Sequence, residues 1–424
     1  MENSAASLSS DDRRSSPARQ RSSHATLIRD LSARPPRSGR VKPLDAIVVP
    51  AGRKAEKLKM VAELAASADV LLVVLASLHC RVAEASALVA SIPGCRALIV
   101  DIPGDYCNDH LTFRTSDPSF AHLKAGRNSD LSLKRNLGLL LARLMRWEKI
   151  LFLDDDIFGV TLTDLAKIAS QLDSHQVTGL ISRSFPDNSV VCHANRLSGR
   201  DQDTFVTGAA LGVNCAETPL DFFPDVYNED WLFFATHAAR GQVISVGTAR
   251  QQSYKPFADP NRAVLEEFGD LIAEGLYALF NDGQSLDAAT KDYWCDFITA
   301  RRKLIDRLAC DLYLIPTHEA GVQAHESMLH ADKQLASITA DDCVRFVEAW
   351  RYDRGAFART AKEMPPLSNY AAACEYLELT SWREAEFGLR DSHRSLLTGA
   401  PQPVRSKSTD QVGQSCLKPQ LPVT

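Results

Sequence analysis

Short apolar runs alternate with amphipathic stretches through the first half of the chain. The runs have the length of buried strands, and between them apolar residues recur at helical spacing, most clearly as leucines from residue 137 to 144. This alternation predicts an α/β fold with a mostly parallel sheet, helices on both faces, and ligands outside the carboxyl ends of the strands. Strands are expected at 45–50, 70–76, 96–100 and 150–153, and helices at 54–66 and 131–147.

The pattern changes near residue 261, beyond which apolar residues recur almost only at helical spacing. Helices are expected there at 264–280, 288–312, 341–351 and 370–377. Both ends of the chain are polar, with Ser, Arg or Pro and no apolar periodicity, which is typical of disordered tails. The predicted organisation is a tail at 1–40, a single α/β domain at 41–260, a helical region at 261–395 and a tail at 396–424.

The composition favours a soluble enzyme. The 424 residues are 45% hydrophobic, and the formal net charge of −5 argues against non-specific binding to nucleic acid or to an anionic membrane. The longest apolar run, 70–76, is too short to span a bilayer, and the N-terminus lacks the apolar stretch of a signal peptide. The ten cysteines are scattered, which suits a reducing compartment. We therefore expect a cytoplasmic protein, whose oligomeric state stays open.

Three consecutive carboxylates, Asp154, Asp155 and Asp156, follow the apolar run that ends at residue 153. They repel one another and lose hydration near a sheet edge, so the arrangement is costly without a cation. Mg²⁺ usually takes one or two protein carboxylates and fills its other positions with phosphate oxygens and water, which would offset that cost. The alternative is a solvated loop or a helix N-cap, where Asp is also favoured.

Two other turns carry residues suited to ligand binding. Pro50 and Gly52 follow the first predicted strand and allow a sharp turn, and Arg53 would sit at a helix N-terminus, where a diphosphate is favoured. Glu229 and Asp230 open a predicted helix among aromatic neighbours, where a carboxylate can act as a general base. Each turn also has a plainer interpretation: an exposed arginine at a helix start, and first-turn acids that are favoured by the helix dipole.

In their order and spacing, these features resemble the nucleotide-diphospho-sugar transferases of the glycosyltransferase A fold, and most closely the family 2 glycosyltransferases. The resemblance covers about residues 44–255. It implies a single Rossmann-like domain that binds the nucleotide in its first half and the sugar acceptor in its second. Five segments carry it: the turn 49–53, the helix start Lys134-Arg135-Asn136, the acidic run 154–156, Thr207-Gly208-Ala209-Ala210, and Asn228-Glu229-Asp230-Trp231.

The resemblance implies a metal-dependent transferase that moves a sugar from a UDP- or GDP-linked donor to an acceptor hydroxyl, with Mg²⁺ or Mn²⁺ as cofactor. Asp154 would contact the ribose or help to orient the metal, Asp156 would coordinate it, and Asp155 would be the flexible residue between them. Asp230 would be the general base, and Glu229 would bind the acceptor or orient the base. The nucleotide-binding residues would be Pro50, Gly52, Arg53, Arg135, Asn136, Asp154 and Asp155.

Some details of the resemblance stay open. The third metal ligand has no clear counterpart, with His193 and His237 as candidates. Ser77 stands where many relatives carry an acid that contacts the base, so the choice between uracil and guanine is undecided. The segment 250–254 differs from the Gln-x-x-Arg-Trp signature of processive synthases, so we expect a non-processive enzyme, and an inverting one.

Two other functions fit part of the pattern. A haloacid-dehalogenase-like phosphatase also places Asp-x-Asp at a strand end, here Asp154 and Asp156. That family prefers Thr or Val two residues after the second Asp, where this chain has Phe158, and usually carries its motif on the first strand. The other possibility is a non-catalytic module that binds a nucleotide sugar. Phosphomonoester hydrolysis would favour the phosphatase, and metal-dependent binding without turnover would favour the module.

Overall fold

A mixed β-sheet organises the protein, which was analysed as a computed structural model. The described residues are 20–35, 41–183, 185–186, 188–314 and 319–387. The strands are β1 (Ile28–Asp30), β2 (Ala46–Ala51), β3 (Leu71–Ala76), β4 (Arg96–Asp101), β5 (Lys149–Leu153), β6 (Ile157–Phe158), β7 (Val177–Ser182), β8 (Val206–Asn214), β9 (Val243–Gln251) and β10 (Trp382–Glu386).

Helices connect the strands and form most of the second half of the chain. Those of the first half are α1 (Lys59–Ala68), α2 (Val82–Ala90), α3 (Ala121–Lys124), α4 (Leu131–Leu144), α5 (Leu162–Gln171), α6 (Val190–Leu197), α7 (Glu229–Phe233) and α8 (Ala235–Ala238). The C-terminal region adds α9 (Asn261–Asn281), α10 (Lys291–Tyr313), α11 (Glu319–Leu335), α12 (Ala340–Glu363) and α13 (Tyr370–Tyr376). None of the described helices combines the length and apolar character that a membrane span requires.

The strand order is β1-β9-β7-β8-β5-β2-β3-β4-β10, with β6 paired to β9 outside this path. β8 and β10 are antiparallel to their neighbours in this path, and the other neighbouring pairs are parallel. From β2 the chain proceeds through β3 to β4 in one direction, whereas β5 lies on the other side of β2. The order therefore reverses between β2 and β5, and such a reversal opens a crevice outside the carboxyl ends of the two strands.

Alternate side chains of each buried strand point to opposite faces of the sheet. Each face packs against helices and so has its own apolar cluster. On β2, Ala46 and Val48 belong to one apolar cluster, and Ile47 and Val49 to the other. Side chains of α1, α2 and α5 complete the second cluster. The first cluster contains residues of α4 and of α9 to α13, so the helical region shares a core with the sheet. The fold is therefore α/β with a mostly parallel sheet and a helical C-terminal region.

The ends of the sheet depart from the sequence prediction. Residues 28–30 were expected in a disordered tail but form β1, which is parallel to β9. The residues that flank β1, Leu27 and Leu31, have buried side chains. Near the C-terminus, residues 382–386 were expected in a helical region but form β10, antiparallel to β4. Both edge strands are short and polar, so they carry no alternating apolar signal. The predicted tail 396–424, with residues 1–19 and 36–40, lies outside the described residues.

Candidate functional site

A cavity of about 430 Å³ lies outside the carboxyl ends of β2 and β5, at the reversal of strand order. Its volume is within the usual range of small-molecule sites. Eight carboxylates and four Lys or Arg side chains line it, which gives the lining a formal charge of −4. A strongly acidic lining favours a cationic ligand or a cation-bound one.

The three consecutive carboxylates lie along one wall, immediately after β5. The Arg53 guanidinium contacts Asp155 through Nη1, and its Nη2 donates to Asp156 Oδ2 at 3.0 Å. The backbone N–H of Arg53 also donates to Asp155 Oδ2, at 3.3 Å. Arg53 comes directly after the β2 turn that contains Gly52, so the turn places a positive charge on the acids of the neighbouring strand end. The side chain of Arg53 is 50% exposed, and water can therefore replace its contacts.

Arg135 connects this wall to the opposite one. Its Nη2 contacts both oxygens of Asp154, at 3.1 and 3.2 Å, and its Nη1 donates to Glu229 Oε1 at 2.6 Å. The guanidinium is almost completely buried, and the two carboxylates raise its pKa despite the desolvation. Arg135 therefore stays charged and holds two acids that are 75 residues apart in the chain (Asp154 to Glu229) in fixed positions.

The start of β8 contacts both acidic groups. The N–H of Gly208 donates to Asp230 Oδ2, and the carbonyl of Ala209 accepts from the Asp154 N–H at 2.9 Å. A Cβ at position 208 would lie 2.5 Å from Nη1 of Arg135, so only glycine leaves room for the guanidinium. The segment 207–210 therefore has a direct spatial link to the acidic run and to the Glu229-Asp230 pair.

Helix α7 begins with the acid pair, and helix α9 holds that start in place. Asn228 adopts φ 59° just before α7, and its side-chain amide donates to Asp270 Oδ1 at 3.0 Å. Gly269 lies so close to the Tyr227 backbone that a Cβ would be 2.1 Å from the Tyr227 carbonyl oxygen. Asp230 Oδ1 accepts the Trp231 N–H at 2.8 Å, which fixes the carboxylate in orientation. The helical region thus forms part of the site.

The β2 turn and Lys134 form the end of the cavity near Arg53. Pro50, Gly52 and Lys134 all line it. Lys134 Nζ donates to the Ala51 carbonyl at 2.9 Å and contacts Asp130 at 3.1 Å. Burial lowers the pKa of Lys134 from its ordinary value, partly offset by Asp130. The result is a cationic group beside the strand ends, at a position that can face an anionic ligand.

Asn136 has a structural role that differs from the predicted nucleotide contact. Its amide nitrogen donates to the Phe223 carbonyl at 2.8 Å, and its amide oxygen accepts the Phe223 N–H at 2.8 Å. The side chain is buried and lies outside the cavity lining. Asn136 therefore fastens the loop that leads to α7, one helical position beyond the cavity-lining Arg135.

Neither candidate histidine lies at the cavity lining. His193 packs against Tyr254, whose hydroxyl is 3.2 Å from Nε2, and burial with nearby Arg196 lowers its pKa to about 3. His237 is on α8, and burial lowers its pKa as well. Ser77 is buried and lines a second, smaller cavity of about 300 Å³, which shares Leu78 with the main one. Neither candidate histidine is therefore placed to reach a cation in the main cavity.

Carboxylates from α9 border the cavity as well, and the sequence reasoning missed them. Asp270 and Glu274 are buried, line the cavity and lie close to the Cys192 thiol, with one ligand atom from each within 4.8 Å of the others. Asp270 already contacts Arg301, Ser189 and Asn228, and Glu274 accepts from His24 and Gln20, each at 2.9 Å. These carboxylates are therefore poorly available as metal ligands. The sequence does carry a signal for them: Glu266, Asp270 and Glu274 are spaced four residues apart, which puts three acids on one face of an otherwise apolar helix.

The oxygen donors near Arg53 suit the cation that the sequence predicts. Asp155 and Asp156 present carboxylate oxygens at the strand end, and Gln251, the last residue of β9, adds an amide next to Asp156. Hard divalent cations such as Mg²⁺ and Mn²⁺ take ligands of this type. Asp154 is less accessible to a metal, because both of its oxygens contact the buried Arg135.

Comparisons with known proteins give little further information. No family model matches the chain, and no curated protein matches it. Among solved structures, the chain is similar to a viral protein whose structure is titled "Crystal Structure of A197 from STIV". The match has 11% sequence identity and a TM-score of 0.27, and covers 48% of this chain and 82% of that one.

Proposed function

We propose that the protein is a metal-dependent glycosyltransferase of the glycosyltransferase A type, which transfers a sugar from a nucleoside-diphosphate sugar to an acceptor hydroxyl. The observation that carries the proposal is one cavity with two acidic groups linked by a buried arginine: Asp154 on one wall, Glu229 on the other, and Arg135 between them. In an inverting glycosyl transfer, the leaving diphosphate and the attacking hydroxyl lie on opposite sides of the anomeric carbon. The reaction therefore needs one group of residues that stabilises the diphosphate and another, on the opposite wall, that activates the hydroxyl.

The wall at the strand ends suits the donor. A bound divalent cation would act as a Lewis acid on the diphosphate as the glycosidic bond breaks. The chain supplies Asp156 for that cation and the cationic side chains of Arg53, Arg127 and Lys134 along the same cavity for phosphate oxygens. Gly52 keeps the β2 turn open to close approach by a ligand.

The opposite wall suits the acceptor. Asp230 is the proposed base, and both of its oxygens accept backbone N–H groups, from Gly208 and Trp231. A carboxylate oxygen has two lone pairs, so it can accept a backbone N–H and still receive the proton of an acceptor hydroxyl. Glu229 is held by Arg135 at 2.6 Å and lies 3.8 Å from Arg127, so its partners are cationic side chains.

The direct test is a panel of UDP- and GDP-sugars measured by thermal shift, with and without Mn²⁺. A true donor at a hundredfold excess over its Kd adds about 2.7 kcal/mol to the free energy of unfolding. We expect stabilisation by a nucleotide sugar that needs Mn²⁺, followed by release of the nucleoside diphosphate when an acceptor is supplied. No stabilisation by any member of the panel would contradict the proposal.

The same samples separate the two alternative functions. Hydrolysis of p-nitrophenyl phosphate, with loss of that activity in Asp154→Asn, would indicate a phosphatase. Stabilisation by a nucleotide sugar without transfer or hydrolysis, over a broad range of acceptors, would indicate a binding module. Of the three activities, we expect glycosyl transfer.

Asp230→Asn tests the base. Loss of general-base catalysis lowers the rate by about 10²–10⁴-fold. Because both carboxylate oxygens accept backbone N–H groups, the amide nitrogen of the introduced asparagine must face one of these donors, so we also expect lower stability, by about 1–3 kcal/mol. Donor binding by the folded variant is the control and should persist. If Asp230→Asn keeps most of its transfer activity, then Glu229 is the base or the reaction retains configuration.

A further inference from the structure

Gln251 is buried against the acidic wall. It is the last residue of β9 and only 8% exposed, and it lines the cavity. Two backbone contacts fix its distance from the acids: Ile157 pairs with Gln251 between β6 and β9, and the Gln252 N–H donates to the Asp156 carbonyl at 3.0 Å. The side chain of Gln251 is therefore held next to the Asp156 carboxylate by the backbone.

The amide of Gln251 is only partly satisfied. Its Nε2 reaches Asp156 Oδ2 at 3.5 Å, a long contact, and its Oε1 is buried without a hydrogen-bond partner among the described residues. A buried polar group without a partner costs about 1–3 kcal/mol. Natural proteins rarely keep such a group without a ligand, an ion or an ordered water molecule. Rotation about the Cγ–Cδ bond exchanges the two amide atoms, and this torsion has a broad energy profile.

The counter-charge of Asp156 can be displaced, whereas that of Asp154 cannot. Asp156 contacts Arg53, whose side chain is half exposed and can swing into solvent. Asp154 contacts Arg135, which is almost completely buried and also holds Glu229. A cation that enters from the cavity can therefore take over the Asp156 carboxylate and leave the Arg135 contacts intact.

We propose that Gln251 Oε1 and the Asp156 carboxylate are two ligands of one divalent cation, Mg²⁺ or Mn²⁺. The inference deepens the proposed function and rests on it, because that function requires a cation at this wall. Once the amide has rotated so that Oε1 faces Asp156, the cation binds both oxygens and replaces Arg53 as the counter-charge of Asp156. An amide and a carboxylate are both hard oxygen ligands, so the pair disfavours thiophilic metals. Gln251 is then the further metal ligand for which His193 and His237 were candidates.

Mn²⁺ binding to the full chain tests this inference. The bound fraction is measured by the electron paramagnetic resonance signal of free Mn²⁺, without nucleotide and with either UDP or GDP. We expect Gln251→Leu to weaken Mn²⁺ binding by at least about tenfold. Gln251→Glu should tighten it, because an additional carboxylate raises the charge of the site. Gln252→Leu is the matched control: its side chain is exposed and accepts from Lys57 at 3.0 Å, so Mn²⁺ binding should not change.

Asp156→Asn separates this inference from the proposed function. If Asp156→Asn abolishes Mn²⁺ binding while Gln251→Leu and Gln251→Glu both bind Mn²⁺ like the original protein, then the inference is overturned and the proposed function stands. If the original protein binds no Mn²⁺ with UDP or with GDP, then both are overturned. Weakened binding in Gln251→Leu together with tightened binding in Gln251→Glu supports the inference, and circular dichroism confirms that each variant is folded.

Discussion

Two arginine–carboxylate clusters border the same cavity and differ in their access to water. In the first, which we call the strand-end cluster, Arg53 contacts Asp155 and Asp156, and the arginine side chain is half exposed. In the second, the α9 cluster, Arg301 contacts Glu267 through two nitrogens, at 2.9 and 3.0 Å, and also Asp270. The side chain of Arg301 is completely buried.

The two clusters are alike in composition and differ in whether their arginine reaches water. Both clusters consist of crowded carboxylates and one guanidinium. In the α9 cluster the arginine has no path to water, so its ion pairs fix the position of α9 and of Asp270. In the strand-end cluster the arginine side chain is half exposed, so we expect that a ligand can displace it. The displaceable counter-charge, and not the number of acids, distinguishes the candidate site from the structural network.

The largest expected effect is on stability, and it tests the α9 cluster. Arg301→Met leaves Glu267 and Asp270 without their counter-charge, and breaking a buried ion pair costs about 3–5 kcal/mol. Arg53→Met, the matched variant of the strand-end cluster, should cost about 0–1 kcal/mol, because exposed pairs contribute little. Urea unfolding of both variants measures the difference. Equal losses would mean that the clusters do not differ in the way proposed here.

A glycine at the start of β8, packed against Arg135, gives the next largest effect. Gly208→Ala puts a Cβ 2.5 Å from Arg135 Nη1, so the guanidinium must move away from Asp154 and Glu229. Overpacking of this kind costs about 1–3 kcal/mol. The control is Gly355→Ala within α12, where the nearest atom to the new Cβ is 3.5 Å away on the flexible Arg359 side chain.

That control should stabilise the protein by about 0.5–1 kcal/mol, since alanine is the better helix former. The two Gly→Ala variants thus have opposite expected signs in the same unfolding assay. A stabilising or neutral Gly208→Ala would show that Arg135 is not held as tightly as its contacts indicate.

The smallest expected effect is on the metal affinity of the strand-end cluster. Arg53→Met removes the cation that competes for Asp155 and Asp156, so the Mn²⁺ affinity of the nucleotide-free protein should rise. The increase is limited to about fivefold, because an exposed pair is worth up to about 1 kcal/mol. Calorimetric titration with Mn²⁺ measures it. A decrease in affinity would instead mean that Arg53 supports the cation site.

The sequence predicts the buried strands well and the sheet edges poorly. The boundaries of β2, β3, β4 and β5 lie within one residue of those expected from the apolar runs. β10 carries Arg and Glu side chains and pairs on one side only, so its conformation depends on β4 and not on its own pattern. Helix α11 was not predicted, because some of its apolar residues, such as Val322 and Leu329, are exposed and blur the apolar stripe of the helix.

The site was predictable where its residues are contiguous in the chain. Asp154 to Asp156 and Glu229-Asp230 line one cavity, as their positions at strand and helix ends suggested. Asn136, expected to contact the nucleotide, lies outside the cavity lining and binds the Phe223 backbone, since a sequence motif does not tell which way a helix is rotated. Asp270 and Gln251 were missed, since both reach the cavity through packing between elements distant in the chain.

Gly269 has a consequence for how the protein can be divided. The absence of a side chain there brings the α9 backbone into contact with Tyr227, directly before the acid pair. A chain shortened at residue 260 would lose this contact, two acids of the cavity wall and much of one apolar core. The smallest part that can be expressed or transplanted with an intact cavity therefore extends through α9 and the helices that pack on it, even though the sequence resemblance ends near residue 255.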